Sequence, residues 1–159
     1  MPVNPQMFQA FFQHILHLPH CRWLGISGDC STNQPVITAS WREDLIADKH
    51  TGNIHGGVIT TLIDMASVTA LAAQLNEFEN TATVDMRVDY LSSPAKGKAV
   101  HVRGNCYRLE GQIAFIRSHC YQEDENQPFA LGMCTFIHTP LSAAEKQALN
   151  AYMQQEQHK

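Results

Sequence analysis

A long apolar run that follows His55-Gly56-Gly57 restricts the fold of this chain more than any other feature. Apolar residues recur there at helical spacing until the polar stretch from Asn76, which predicts a helix of about 20 residues, or roughly 30 Å. One broad arc of this helix is apolar and suits burial against a sheet. That arc comprises Val58, Ile59, Leu62, Ile63, Met65, Ala66, Ala70 and Ala73.

After the helix, apolar and polar residues alternate along the sequence with a period of two, which is typical of β-strands. Four such runs, separated by turn-forming residues, predict a consecutive antiparallel meander over residues 81–91, 98–109, 113–122 and 129–139. Before the helix, the segments WLGISG and QPVITASW predict a pair of shorter strands. We therefore expect an α+β fold in which a single antiparallel β-sheet wraps one long central helix.

Additional helices are expected at both ends of what we interpret as a single domain, residues 1–159. Apolar residues at helical spacing predict an N-terminal helix over about 5–18, which Pro19 ends and which would act as a lid. The core then covers about 20–138. The segment from about 141 to 157 has a helix-forming composition after Pro140 and is expected to extend from the domain as a C-terminal helical tail.

Charge and composition exclude several classes of function. The formal net charge is -4 and no basic block is present, which argues against nucleic acid as a partner. The 5 cysteines are scattered and form no CxxC pair, which indicates reduced, structural thiols. The N-terminus lacks the basic start of a signal peptide, and no stretch approaches the roughly 18 apolar residues of a membrane span. We expect a cytoplasmic protein with no membrane partner.

Asp64 is the one carboxylate inside the apolar run. At about 100° per residue it points almost directly away from the sheet-facing arc. Its own side of the helix is still apolar, because Val68, Leu71 and Leu75 lie close to it on the helical wheel. A helix that is apolar nearly all round must be covered on both sides, and a second copy of the chain would supply that cover. The wheel therefore predicts a homodimer with Asp64 at the interface.

Two interpretations of Asp64 stay open on this geometry. It could be an interface acid that pairs with Arg87, Arg103 or Arg117 of the sheets. Alternatively, Gly57 lies two turns before it on the same face, so that open amides at the helix start and the carboxylate would line one groove about 10 Å long. Helix-terminal amides stabilise negative charge, and a carboxylate can act as nucleophile or general base. The second interpretation indicates acyl-transfer chemistry.

Motifs in the same order along the chain carry a resemblance to a known family. These motifs are His55-Gly56-Gly57 with Asp64 nine residues after the histidine, Thr83-Val84-Asp85-Met86, Asp89-Tyr90-Leu91 and Pro94-Ala95. They resemble the hotdog-fold acyl-CoA thioesterases of the phenylacetate-pathway (PaaI-like) type over about residues 20–138. The resemblance implies the hotdog fold, with two protomers joined sheet edge to edge and dimers commonly paired into tetramers.

The resemblance also implies roles for individual residues. Asp64 would attack the thioester or activate water, and the Gly57 amide would polarise the thioester carbonyl. His55 would stand next to that amide as part of the catalytic site, and Gly56 would border the substrate. Thr83 would reach the site from the partner subunit and hold the attacking water.

The chain departs from the family pattern just before the histidine. The family usually has Asn or Gln six or seven residues before His55, whereas this chain has Asp48 and Lys49, with Asn53 closer to the histidine. We expect Asp48 and Asn53 to take part in substrate binding. If Asp48 lies close to Asp64, its charge would raise the pKa of Asp64.

These expectations together describe a thioester hydrolase. It would act on an aryl- or fatty-acyl-CoA at a subunit interface, as a dimer or dimer of dimers, with no metal and no cofactor besides the coenzyme A of the substrate. An alternative is a hotdog protein that binds acyl-CoA without hydrolysing it; a hotdog hydratase ranks last, because it needs Asp and His at another spacing. Basic residues that either meet the coenzyme A phosphates or lie in solvent are Lys96, Lys98, Arg103, Arg108 and Arg117.

Histidines near the N-terminus admit a second, weaker interpretation. His14 and His17 share a helix face, and His20 and Cys21 follow closely, a spacing that can be interpreted as a set of metal ligands. An exposed helix face explains them better, because Pro19 separates His20 from the helix and no second Cys/His pair completes a ligand set.

Overall fold

Helix α3 lies across one face of a six-stranded antiparallel sheet in the computed structural model, which describes residues 5–32, 34–75 and 77–156, with side chains to residue 152. The helices are α1 Pro5–Leu16, α2 Pro19–Leu24, α3 Gly56–Gln74 and α4 Ala143–Glu156, with a 3-10 turn at Glu43–Leu45. The strands are β1 Ile26–Asp29, β2 Val36–Ala39, β3 Glu79–Tyr90, β4 Val100–Glu110, β5 Ile113–Tyr121 and β6 Ala130–Pro140. The expected α+β hotdog architecture, a central helix with a single antiparallel sheet and extra terminal helices, is confirmed.

The strand order corrects the predicted meander. The order is β1-β2-β4-β5-β6-β3, so of the four strands of the predicted meander only β4, β5 and β6 follow one another across the sheet. Strand β3 lies at the far edge, antiparallel to β6, with Tyr90 opposite Ala130. Alternation along a strand shows which residues share a face but does not identify the neighbouring strand, and that is why the sequence placed β3 next to β4.

Two glycines in the sheet allow α3 to approach closely. A Cβ atom on Gly104 of β4 would lie 2.5 Å from the Ala66 carbonyl oxygen and 2.9 Å from the Ala70 Cβ. A Cβ atom on Gly132 of β6 would lie 2.5 Å from Cγ2 of Ile63. Neither strand can carry a side chain at these positions without moving the helix outward.

The sheet covers more of α3 than the helical wheel predicted. Most of the predicted sheet-facing arc is buried, although Met65 and Ala73 are only half-buried. Leu71 and Leu75, which we expected on the side covered by a second copy, are also buried within this chain. The sheet curves around the helix and the N-terminal helix α1 packs beside it, so much of the surface assigned to a partner is already covered.

The N-terminal segment forms two helices where we predicted one. Helix α1 ends at Leu16, and Pro19 starts α2, because proline lacks an amide hydrogen and fits the first turn of a helix. Gly25, with φ 66°, ends α2 in the left-handed conformation. The predicted strand WLGISG is therefore shorter than expected, since its first two residues belong to α2.

The C-terminal helix packs on the domain, which corrects the expectation that it extends away. The Tyr152 ring meets His14 of α1 edge-on, with ring centroids 4.5 Å apart. Leu149 joins a small apolar cluster that contains Phe8 and Phe78. Helix α1 therefore packs against α4 as well, which the sequence composition did not reveal.

Helix α3 also meets the length and apolarity criteria of a membrane-spanning helix. Its mean hydropathy is 1.5 over an 18-residue window, so the expectation that no stretch approaches a membrane span is wrong on these criteria. The window is 56% buried inside this structure, as in a helix that packs against a sheet. The core helix of a soluble protein satisfies the same criteria, so this is weak evidence for a membrane span.

Candidate active site

The first turn of α3 is capped by the side chain of His55. His55 is the N-cap residue, and its Nδ1 atom accepts a hydrogen bond of 2.9 Å from the Gly57 amide. The Gly57 amide, which we expected to be open, therefore already has a partner in this structure. The first amides of a helix have no acceptor within the helix, and the imidazole supplies one here. Because Nδ1 accepts, the ring proton of the neutral histidine lies on Nε2.

The carbonyl group of Gly56 is held from two sides. Thr60, one turn along α3, donates its hydroxyl to the Gly56 oxygen at 3.0 Å. Tyr90, the last residue of β3, donates its hydroxyl to the same oxygen at 3.1 Å. The turn that starts the helix is therefore bonded to the helix and to the sheet.

Asp64 lies two turns after Gly57 and is half-buried. The Thr83 hydroxyl of β3 donates to Oδ1 of Asp64 at 2.7 Å. We expected this hydroxyl to come from the partner subunit, but in this structure it belongs to the same chain. The reason is the position of β3 at the sheet edge, where Thr83 lies opposite the inward-facing Phe136 and points toward the helix.

A buried polar cluster lies one turn beyond Asp64, and sequence reasoning did not find it. The hydroxyl groups of Ser67 and Ser118 are 2.9 Å apart, and Ser67 donates to Sγ of Cys134 at 3.3 Å. Burial raises the pKa of the Cys134 thiol, and the charges of Asp64 and Asp85 raise it further. The Ser67 hydrogen bond lowers the pKa of the thiol and so opposes these effects. The cluster connects α3 to β5 and β6.

A cavity of about 340 Å³ opens at the start of α3. Its α3 side presents His55, Gly57, Val58 and Thr61, so it begins at the capped amide. The opposite wall comes from α2 and the 3-10 turn: His20, Trp23, Leu24, Asp44, Leu45 and Ile46. The helix that we predicted as a lid corresponds to α1, which does not line this cavity; α2 borders it instead.

Asp48 and Asn53 have local contacts in the loop before α3. The Asp48 carboxylate accepts from the His50 amide at 3.0 Å, and this hydrogen bond lowers the pKa of Asp48. The Asn53 carbonyl accepts from the Ala47 amide at 2.8 Å. Neither residue lines the cavity at Gly57. Their assignment to substrate binding stays a prediction.

The three arginines proposed as partners of Asp64 are engaged elsewhere in this chain. Arg87 pairs with Asp89 at 2.9 Å and Arg103 with Glu125 at 3.0 Å. The Arg117 guanidinium lies 5.4 Å from the centroid of the Tyr107 ring. All three alternate with residues that face α3, so they lie on the other face of the sheet. The ion-pair interpretation of Asp64 is not supported within one chain.

The N-terminal histidines also have separate surroundings. His17 bonds through Nδ1 to the Gln13 carbonyl oxygen at 2.7 Å, while His14 packs on Tyr152. Across the described parts of the chain, no three His, Cys, Asp or Glu side chains are grouped as metal ligands would be. The helix-face interpretation is therefore the better one for these residues.

Comparison with known proteins gives the same architecture. Residues 51–129 match a family model described as the thioesterase superfamily. A solved structure from Pseudomonas aeruginosa is 28% identical with a TM-score of 0.74, and the match covers 84% of this chain and 99% of that one. The PaaI protein of the Escherichia coli phenylacetic acid degradation operon has a TM-score of 0.71 at 16% identity, covering 84% of this chain and 94% of that one, which is a likeness in fold.

A curated relative matches over a shorter region. A Schizosaccharomyces pombe protein, whose name marks it as a candidate esterase, is 34% identical over 85 residues. The match covers 53% of this chain and 52% of the relative, so it spans about half the length of the curated protein.

Proposed function

Since residues 51–129 match the thioesterase superfamily model and the chain has the hotdog fold, we propose that it hydrolyses the thioester bond of an aryl- or fatty-acyl-CoA. The observation that carries the proposal is the pairing of two groups along one helix. A carboxylate bonded to a hydroxyl, Asp64 with Thr83, lies two turns from the amide of Gly57, where a cavity opens.

The proposed reaction begins when the acyl group enters the cavity and its carbonyl oxygen replaces the His55 imidazole at the Gly57 amide. That amide then stabilises the negative charge that develops on the oxygen as the carbonyl carbon becomes tetrahedral. The positive end of the α3 dipole adds to this stabilisation. His55 has to rotate away from the amide, which its exposed position allows.

Asp64 supplies the attack by one of two routes. In the first, its free oxygen bonds to the carbonyl carbon and the carbon–sulfur bond breaks, which leaves a mixed anhydride that water then hydrolyses. In the second, Asp64 removes a proton from water as that water attacks, and the proton passes to the departing thiolate. Both routes convert a thioester and one water into a carboxylic acid and free coenzyme A. Thr83 fixes one oxygen of the carboxylate in either route.

We further propose that two chains join at the β3 edge, as dimers or as dimers of dimers. β3 pairs with β6 on one side only, so its other side presents unpaired backbone groups. Val84 is 61% exposed on this strand, so a partner strand at this edge would bury an apolar side chain. A partner strand would cover this edge and narrow access to Asp64.

The test of this function is thiol release from a panel of acyl-CoA substrates by wild type and Asp64→Asn. We expect wild type to release coenzyme A from at least one aryl- or fatty-acyl-CoA, and the variant to lose at least about 100-fold in kcat. Asp89→Asn is the matched control, because its carboxylate pairs with Arg87 on β3 away from the site. An Asp64→Asn protein that turns over the same substrates at the wild-type rate would overturn the mechanism.

The second candidate function is acyl-CoA binding without hydrolysis. It is favoured by the hydrogen bond from the Gly57 amide to His55, which occupies the group that would bind the thioester carbonyl. Titration calorimetry with the same panel separates the two functions. Heat of binding with no thiol release identifies a binding protein, whereas thiol release identifies an enzyme.

A further inference from the structure

The Gly56 carbonyl and the Gly57 amide belong to one peptide unit. No cis peptide bond occurs in the described residues, and a trans peptide is planar with its C=O and N–H pointing in opposite directions. Any group that fixes the Gly56 oxygen therefore also fixes the direction of the Gly57 N–H. Two hydroxyl groups bond to this oxygen, those of Thr60 and Tyr90.

These two hydroxyl groups constrain the peptide differently. Thr60 bonds back to a residue one turn earlier in its own helix, so it moves with α3 and cannot orient the peptide relative to the sheet. Tyr90 belongs to β3, and its bond joins the start of the helix to a strand. The same strand carries Thr83, which bonds to Asp64. β3 thus holds both the carboxylate and the amide of the candidate site.

Gly56 is what permits the Tyr90 contact. A Cβ atom at position 56 would lie 3.0 Å from the Tyr90 hydroxyl oxygen, which is tighter than ordinary van der Waals contact. An added Cβ atom would require the hydroxyl to shift by a few tenths of an ångström, which disturbs its bond to the carbonyl oxygen. The Tyr90 side chain is 53% exposed, so packing alone does not determine its position.

We infer that Tyr90 is a positioning residue for the thioester hydrolysis proposed above, on which this role rests. Its hydroxyl aims the Gly57 N–H into the cavity and, by bonding to the carbonyl end of the same peptide, makes that N–H a stronger donor. His55 leaves the amide when substrate binds, but Tyr90 stays in place through the reaction. The phenol touches neither the substrate nor the reacting atoms.

The kinetic test compares Tyr90→Phe with Tyr107→Phe. Tyr107 lies on the same sheet, is 48% exposed, and is outside the site, so it controls for removal of a phenol hydroxyl. We expect Tyr90→Phe to lower kcat about 3- to 10-fold with KM within about twofold, because the bond strengthens a contact that matters most in the transition state. The Tyr107→Phe control should have the kcat and KM of wild type. An unchanged kcat in Tyr90→Phe, or a rise in KM alone, would overturn the role.

A double-mutant cycle with Gly56→Ala separates positioning from general damage to the helix start. In a wild-type background the added methyl group should displace the hydroxyl and lower kcat, whereas with Phe at position 90 it has no hydroxyl to displace. We therefore expect the double variant to have about the kcat of Tyr90→Phe alone. Effects that simply multiply would show that the two residues act independently and would contradict the inference.

An amide NMR measurement keeps this test distinct from the test of the function itself. We expect the Gly57 amide proton resonance to shift in Tyr90→Phe and to stay unchanged in Tyr107→Phe, whether or not the protein turns over a thioester. If wild type shows no hydrolysis but the resonance shifts, the proposed function fails while the Tyr90 effect on this peptide stands. If the resonance does not move, the role of Tyr90 fails whatever the activity.

Discussion

At the scale of single residues, the position of the His55 side chain differs most from what the sequence predicted for the site, because it bonds to the Gly57 amide. The sequence could place Gly57 and Asp64 on one face of a helix, because helical periodicity fixes their relative direction. It could not show that the imidazole turns back onto the Gly57 amide, since that depends on a side-chain rotamer. The Tyr90 bond to Gly56 was hidden for another reason, as it joins residues 34 positions apart.

His55→Ala tests whether the imidazole is a cap or a catalyst. Loss of the cap should reduce the free energy of unfolding by about 1 kcal/mol, because the Gly57 amide loses its acceptor. We expect kcat to stay within about threefold of wild type, since substrate displaces the imidazole in the proposed reaction. Thermal unfolding and thiol release measure the two effects. A loss of kcat comparable to that of Asp64→Asn would show that the imidazole takes part in the chemistry.

At the scale of elements, the alternation of apolar residues predicted the strands well and their neighbours poorly. The bounds of β4, β5 and β6 follow the predicted runs closely, because burial of one face leaves a clear two-residue pattern. The pairing of β3 with β6 depends on contacts between segments that are distant in sequence, so no local pattern predicts it. This misplaced strand is the one that carries Thr83 and Tyr90. The expectation that Thr83 comes from the partner subunit rested on the family resemblance and not on the strand order.

Helix α4 begins with a capping box that can be tested separately. Ser142 bonds through its hydroxyl and its amide to the Glu145 carboxylate, and these bonds lower the pKa of Glu145. Because the folded pKa is lowered, the carboxylate stabilises α4 fully above the ordinary glutamate value of 4.5. That stabilisation is lost as the pH falls through the lowered value.

Ser142→Ala should therefore destabilise α4: loss of an N-cap serine reduces the free energy of helix unfolding by about 1 kcal/mol. We expect faster amide hydrogen exchange in α4 at neutral pH, and a smaller difference from wild type in acid, where wild type also loses its charged partner. Ser93→Ala, in the loop after β3, is the control and should leave α4 unchanged. Equal exchange rates in α4 for wild type and Ser142→Ala at neutral pH would show that packing alone holds this helix.

At the scale of the whole molecule, the exposed edge of β3 is the place where a second chain would complete the structure. The helical wheel predicted a dimer through the Asp64 side of α3, but that surface is partly covered within one chain. The open edge of β3 is therefore the stronger argument for a dimer. A carboxylate introduced there would have to be buried by an incoming strand, which is costly without a partner charge.

Val84→Glu should accordingly shift the protein toward monomers in sedimentation velocity at micromolar concentration. Leu18→Glu is the control, because Leu18 is a 38% exposed apolar residue between α1 and α2, far along the chain from β3. It should leave the sedimentation coefficient unchanged. If Val84→Glu sediments as wild type does, the interface lies elsewhere on the protein.

The absence of a side chain at Gly104 and Gly132 limits how sequences with this fold can diverge. Both positions leave room for α3, and Gly132 does so beside Ile63, the neighbour of Asp64. Alanine at either position would preserve the hydrophobic pattern, and a fold predicted from it would look the same. The added methyl group would nevertheless have to displace α3 or the Ile63 side chain, and we expect the 2.7 Å bond between Asp64 and Thr83 to lengthen as the helix moves. Descendants of this sequence can thus keep the shape and lose the carboxylate–hydroxyl pair through one methyl group that touches neither residue.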